Sequence, residues 1–362
     1  MKKILSLILC LVMACTMLVA CDDPVIGGAK DDYDVKDNKV ELLELNMYII
    51  TGDNTTKTAI DTVASNITTM TRADYTTVLN VHYFTEAEYV SKVTAAIEQG
   101  GKNTPHIILI NSEQMLLNLV YPNGAKGNSP ESNSKLVDLT KYYESDKYGT
   151  LNAKIATALL ESSKISGKFF TVPNNRIVGE YTYLVINKQV SHHILNYEIK
   201  ADIESYNSLE DAKPLIDELE SAGYDPNDFV RVIKGPYELR YELEDENFCK
   251  QIGVPTVDSE EAHKSAFAVV DTDKKYNDRA MEIIYALNND VEFRNLLQYG
   301  SAGSNYIVDN GDIVMKKDLN RYEMNILYTG DQFDAYYCSE LLWNETKKNY
   351  GIIQNFAAVS KK

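Results

Sequence analysis

The chain has 362 residues, 53 acidic against 36 basic side chains, a formal net charge of −17, 25 tyrosines and one tryptophan. That acidic balance argues against nucleic acid as a partner and against a polybasic grip on a membrane, and the length allows two domains with a large core. There is no His-x-x-x-His or Cys-x-x-Cys metal spacing, no Gly-rich phosphate loop and no Gly-x-Ser-x-Gly elbow, so neither a metal, a cofactor nor an enzyme activity is expected.

Met1-Lys2-Lys3, an apolar run from Ile4 to Ala20 and then Cys21 read as a charged, apolar and small-residue leader over residues 1–20. Leu18-Val19-Ala20-Cys21 resembles the bacterial lipoprotein cleavage box, which would make Cys21 the lipidated first residue and place the protein on the outer face of the cell membrane. An ordinary secretory signal is the alternative. Residues 21–39, rich in Asp, Gly and Lys, read as a flexible tether. Cys10 and Cys15 go with the leader, so Cys249 and Cys338 remain, and whether they pair is left open.

Residues 40–173 are expected to form a first α/β lobe. Val40 to Ile50 is almost continuously apolar, as a central parallel strand is. Ile60, Val63, Ala64 and Ile67 give one helical face, and Val78 to Phe84 a second strand. Thr85 and Glu88 suggest a capping box before a helix that Gly100 ends, and His106 to Ile110 a third strand. Alternation at this spacing means right-handed crossovers and a parallel sheet, whose ligands bind beyond the carboxyl ends of the strands. Asp53, Asn111, Glu113 and Gln114 fall there, although both loops also suit helix N-caps.

Gly167 to Asn187 is the pivot of the chain. Lys168 to Val172 reads as a strand that Pro173-Asn174-Asn175 stops, and Tyr181 to Ile186 as a second one. The polar loop between them, Asn174-Asn175-Arg176, is where a two-lobed protein passes from one lobe to the other. Residues 174–270 are expected to hold this hinge and a smaller second lobe. Its elements are a helix over Ser208 to Ala222 and strands over Phe229 to Ile233, Tyr237 to Leu243 and Ser265 to Val270. Residues 271–362 carry a helix from Asp278, a second from Val291 to Tyr299 closed by Gly300, and a C-terminal segment with Trp343.

Ser166-Gly167-Lys168-Phe169-Phe170 leading to Val172-Pro173-Asn174, together with Leu296-Leu297-Gln298-Tyr299-Gly300, Gly303 and Tyr306, resembles the extracellular solute-binding proteins of bacterial ABC importers, family 1, the carbohydrate type. The second lobe is short for that family. The resemblance implies an α/β, two-lobed periplasmic-binding-protein-like fold with a hinge and an inter-lobe cleft. It also implies a lipid-anchored receptor that passes a sugar or oligosaccharide to ABC permease subunits. By the same resemblance Asn174, Asn175, Arg176, Tyr181, Tyr299 and Trp343 would line the cleft with the four strand-end residues. The alternative is a surface interaction or sensory lipoprotein whose lobes do not close. Arg176 suits either a ligand carboxylate or phosphate, or a salt bridge across the hinge. His192-His193 is no metal pair, because adjacent residues point apart.

Overall fold

The computed structural model describes residues 41–334, apart from 125–132, 177, 180, 193–204, 235–238, 240–241, 243–244, 254–255 and 310–311, together with 357–359. The leader, Cys21, the tether, His193, Cys338 and Trp343 lie outside the described residues.

Three parallel strands come first: β1 (Leu43–Ile50), β2 (Thr77–Phe84) and β3 (Ile107–Ile110). Between β1 and β2 runs α1 (Lys57–Tyr75), which buries Ala59, Val63, Ile67 and Thr71 along one stripe. Thr56 caps it by accepting from the Ala59 N–H at 3.2 Å, so the polar loop after β1 does serve partly as a cap. Between β2 and β3 runs α2 (Glu86–Gln99), ended by Gly100 at φ 64. The expected capping box at its start does not close. The Thr85 hydroxyl donates to the Glu88 carboxylate at 2.9 Å, and Thr85 takes no backbone N–H into its side chain. Next comes α3 (Glu113–Val120), capped by Ser112. Two short helices follow, α4 (Gly149–Lys154) and α5 (Thr157–Ser162), with Leu151, Ile155 and Leu159 all buried.

The chain then forms the two-residue strand β4 (Val172–Pro173) and leaves for a second, antiparallel sheet of β5 (Thr182–Ile186), β6 (Val230–Lys234) and β7 (Phe248–Gln251), with β5 central. Leu184 and Ile186 pack on one face against Leu215 and Leu219 of α6 (Lys213–Ser221), and Tyr183 packs on the other with Leu239 and Ile233. The third strand of this sheet is β7, and most of the expected strand over Tyr237 to Leu243 lies outside the described residues. Leu239 and Glu242, the described residues of that stretch, are helical. A short strand β8 (Thr256–Asp258) and α7 (Ser259–His263) return the chain.

The apolar strand expected in the second lobe, Ser265 to Val270, belongs instead to the first. As β9 (Ala266–Val269) it lies antiparallel between β3 and β4, giving the order β2-β1-β3-β9-β4. All residues of β3 and β9 are buried, as befits strands covered on both faces. Pro173 is the last residue of its strand, opposite Ala266, and the strand ends where Asn174 and Asn175 follow, as expected. The strand is at the sheet edge, where the donor Pro lacks is not needed.

The last helices are α8 (Lys274–Leu287), which starts four residues before the expected Asp278, and α9 (Val291–Tyr299). A hairpin follows, β10 (Tyr306–Asp309) with β11 (Asp312–Met315), and then a strap over residues 318–334. The strap is held by backbone bonds: Gly52 N–H donates to Glu323 O at 3.0 Å and Gln332 N–H to Asn175 O at 2.7 Å. A Cβ on Gly52 would lie 2.5 Å from Glu323 O, so only glycine permits that approach. Finally β12 (Ala357–Val359) runs parallel to β8.

Candidate functional site

The pairing of Ile110 and Pro173 with Ala266 fixes which residues share one end of the large sheet. Asn111 follows Ile110, Asn174 follows Pro173, and Ser265 and His263 precede Ala266. β3 and β4 flank β9, so Asn111 and Asn174 leave the sheet about 10 Å apart. The carboxyl ends of the parallel strands therefore carry a band of polar side chains.

Asn174 is fully buried. Its amide N–H donates to Leu327 O at 2.9 Å, which fixes the amide orientation and leaves Oδ1 buried without a partner. Asn175 repeats the pattern. Its Nδ2 donates to Asp331 at 3.1 Å, and its Oδ1 is buried and unpartnered. Asn111 also has a buried, unpartnered Oδ1. Buried polar atoms almost always find a partner, and a missing one costs about 1–3 kcal/mol, so three orphaned carbonyls at one sheet end call for an explanation.

Arg176 is 1% exposed and turned inward. It donates to Glu261 O at 2.6 Å and Asn174 O at 3.5 Å, and lies 3.4 Å from the Glu261 carboxylate. Of the two readings of Arg176, the geometry shows the internal ion pair. Glu113, in the first turn of α3, is 2.9 Å from Nδ1 of His263, a buried side chain whose Nε2 has no partner. Thus α7 ties the strand-end loops together, through Glu261 to the hinge and through His263 to α3.

The other expected residues stand apart from this band. Asp53 and Gln114 are exposed, and Gln114 is bonded to Asn118 at 2.8 Å. Tyr181 is 1% exposed, parallel to Tyr183 with ring centroids 6.4 Å apart. Burial raises both hydroxyls above the usual tyrosine pKa, and neither hydroxyl has a partner among the described residues. Tyr299 ends α9, buried and edge-on to Tyr306 at 6.2 Å. The two rings are packed among neighbours rather than laid open as a stacking floor. Cys249 is a free, half-buried thiol whose pKa burial pushes up to about 12. Sequence reasoning missed His263, although Asp258 followed three residues later by Glu261 is a capping signal for the helix that ends on it. It also missed the strap, whose Leu327 and Asp331 hold the hinge asparagines.

Two cavities of about 400 and 320 Å³ open at the other end of the sheet, one beside Asp138, Lys168 and Asn277, the other beside Asn46, His106 and Tyr276. Several polar groups lining these cavities are already bonded and make no demand on a ligand. Lys168 pairs with Asp138 at 2.9 Å, and Asn46 and Asn277 use both ends of their amides.

No protein-family model matches the chain, and no curated protein matches it either. Solved structures do. The N-glycan transport solute binding protein NgtS from Streptococcus pneumoniae superposes with a TM-score of 0.53 at 17% identity, over 87% of this chain and 83% of that one. Its complex with Man1GlcNAc gives 0.52 at 16% identity, over 87% and 84%, and its complex with Man5GlcNAc gives 0.52 at 17%, over 87% and 83%. The likeness shows the fold: the chain has the two-lobed α/β architecture of an extracellular solute-binding protein.

Proposed function

We propose that this protein is a non-enzymatic extracellular receptor, anchored through a lipid on Cys21, that binds a carbohydrate and delivers it to the permease of an ABC importer. Residues 1–39 serve as leader and tether in this reading, 40–173 as the first lobe, 174–270 mainly as the second, and 271–362 as the return. The observation that carries it is the set of buried, unpartnered amide carbonyls of Asn111, Asn174 and Asn175 at the carboxyl end of the large sheet. Sugar hydroxyls are the donors such atoms lack, and open α/β sheets bind ligands at that end. The fold is one in which NgtS holds Man1GlcNAc, which supports the ligand class. Glu113, Arg176 and His263 frame the site, and Asp53, Gln114, Tyr181, Tyr299 and Trp343 are proposed as its periphery.

A thermal-shift screen of neutral oligosaccharides, amino acids, peptides and polyamines tests the reading. A sugar present at a hundred times its Kd should add about 2.7 kcal/mol of stability. Asn175→Ala should remove that gain, and a screen with no sugar hit would refute carbohydrate binding. Metabolic labelling with a fatty-acid probe should label wild type and not Cys21→Ala.

The alternative, a surface interaction or sensory lipoprotein, is favoured by one observation. The β10–β11 hairpin and the start of the strap expose Ile307, Val308, Val314 and Leu319, at 46%, 63%, 43% and 76%. A pull-down in which the wild type loses its partner on Val308→Asp, with no sugar hit in the screen, would support it.

A further inference from the structure

The orphaned atoms at the carboxyl end of the sheet have one chemical sense. Asn174 and Asn175 spend their N–H groups on Leu327 O and Asp331, so each presents an oxygen. Asn111 presents its Oδ1 as well. His263 faces the Glu113 carboxylate through Nδ1, the place for a donor proton, and its buried Nε2 has no partner, an acceptor in that tautomer. Among the described residues, four buried acceptors without a partner therefore share this end. Of the buried cations, Arg176 is spent on Glu261, and Arg294 donates to Ile326 O of the strap. Carboxylates with their paired cations complete the surroundings: Glu113 beside His263, Glu261 with Arg176 and Lys264, and Asp331 beneath Asn175, 3.9 Å from Lys154.

We propose that this site selects by the sign of the ligand's hydrogen-bonding groups: it accepts neutral and amino sugars, which bring O–H and N–H donors, and rejects sugars carrying a carboxylate or phosphate. His263 is the ligand-contacting residue that completes the acceptor set, and Glu113 is the positioning residue that holds its proton on Nδ1. The inference rests on the carbohydrate reading and narrows it. An anionic sugar group would meet buried acceptors with no proton to give it, beside cations already paired to carboxylates, and would leave those acceptors unsatisfied. A hydroxyl or ammonium group would satisfy atoms that are otherwise buried unbonded.

The test is calorimetry on the full chain with mannosyl-N-acetylglucosamine, and with the same disaccharide oxidised at mannose C6 to the uronic acid. The neutral sugar should bind, and the acid roughly tenfold more weakly or not at all. His263→Leu should weaken the neutral sugar by roughly 5- to 150-fold. Equal binding of the two sugars would overturn the inference and leave the carbohydrate reading standing, whereas binding of neither would remove both. Should His263→Leu not fold, long-range proton–nitrogen NMR of the wild type decides. A proton on Nδ1, with the Nε2 signal moving when the neutral sugar is added, supports the assignment, and a proton resident on Nε2 overturns it. Glu113→Leu should release that proton to populate Nε2 in the same spectra, a change that loss of packing alone would not produce.

Discussion

Both ends of the five-stranded sheet carry buried asparagines, and the two ends treat them differently. Near the amino ends of the parallel strands, Asn46 donates to Lys102 O and Thr104 O at 2.9 and 3.1 Å and meets His82 through Oδ1 at 3.2 Å. Asn277, beside the end of β9, takes Thr272 on its oxygen and gives to Asp271 and Thr272. At the carboxyl ends, Asn111, Asn174 and Asn175 each leave an oxygen unbonded, and so does Asn288 at the end of α8. Thr171, within the sheet edge, is the exception to this segregation. The same residue type is structural where its amide is saturated and available where it is not. Saturation, not identity or burial, separates a scaffold asparagine from a binding one.

The largest effect expected from breaking the saturated end is on stability. Asn46→Leu strips two carbonyls and His82 of their partner and should cost on the order of 3 kcal/mol in urea unfolding. Asn111→Leu, which removes an orphan, should cost less than about 1 kcal/mol. Equal losses would abolish the distinction between the ends.

The second effect sharpens the comparison by disturbing what covers the available end. Gly330 has φ 108, and a Cβ there would lie 2.2 Å from Leu287 O. Gly330→Ala should therefore cost roughly 2–3 kcal/mol and loosen the strap over Asn175. Hydrogen exchange checks this: protection of the Gln332 amide, bonded to Asn175 O, should fall more than that of the β3 amides.

The smallest effect is a pH dependence confined to the saturated end. Burial lowers the pKa of both His82 and His106 below the usual histidine value, and His106 takes the Asn46 N–H on Nδ1 at 3.0 Å, a bond only the unprotonated nitrogen can make. The folded state therefore binds fewer of these protons than the unfolded chain. Stability should be fully present above about pH 6.5 and decline as pH falls below it. His82→Gln should flatten that decline in melts between pH 7 and 5, and an unchanged slope would exclude His82 as a contributor.

Much of the first lobe was legible in local signals. Continuous apolar runs gave β1 to β3, and Gly100 and Gly300 marked helix ends that the structure keeps. Pairing over distance was not legible. Nothing within Ala266–Val269 says that it inserts between β3 and β4, because the apolar run reads alike in either sheet. Of the candidate site, the hinge asparagines and Glu113 were visible as polar residues at strand ends. Their orphaned oxygens were not, since these depend on Leu327 and Asp331, in a strap with no periodicity to announce it.

The insertion of β9 also sets a timetable. β4 finds no neighbour in the large sheet until β9 has been made, roughly ninety residues later in synthesis. At about 5–20 residues per second, that is a wait of roughly 5–20 s. During that interval β1, β2 and β3 can pair, but the backbone edge of the apolar strand β3 that β9 later covers stays unpaired. The first lobe is thus complete only after the second lobe has been threaded out and the chain has come back, so a ribosome-bound fragment ending before Ala266 carries an unfinished and adhesive sheet.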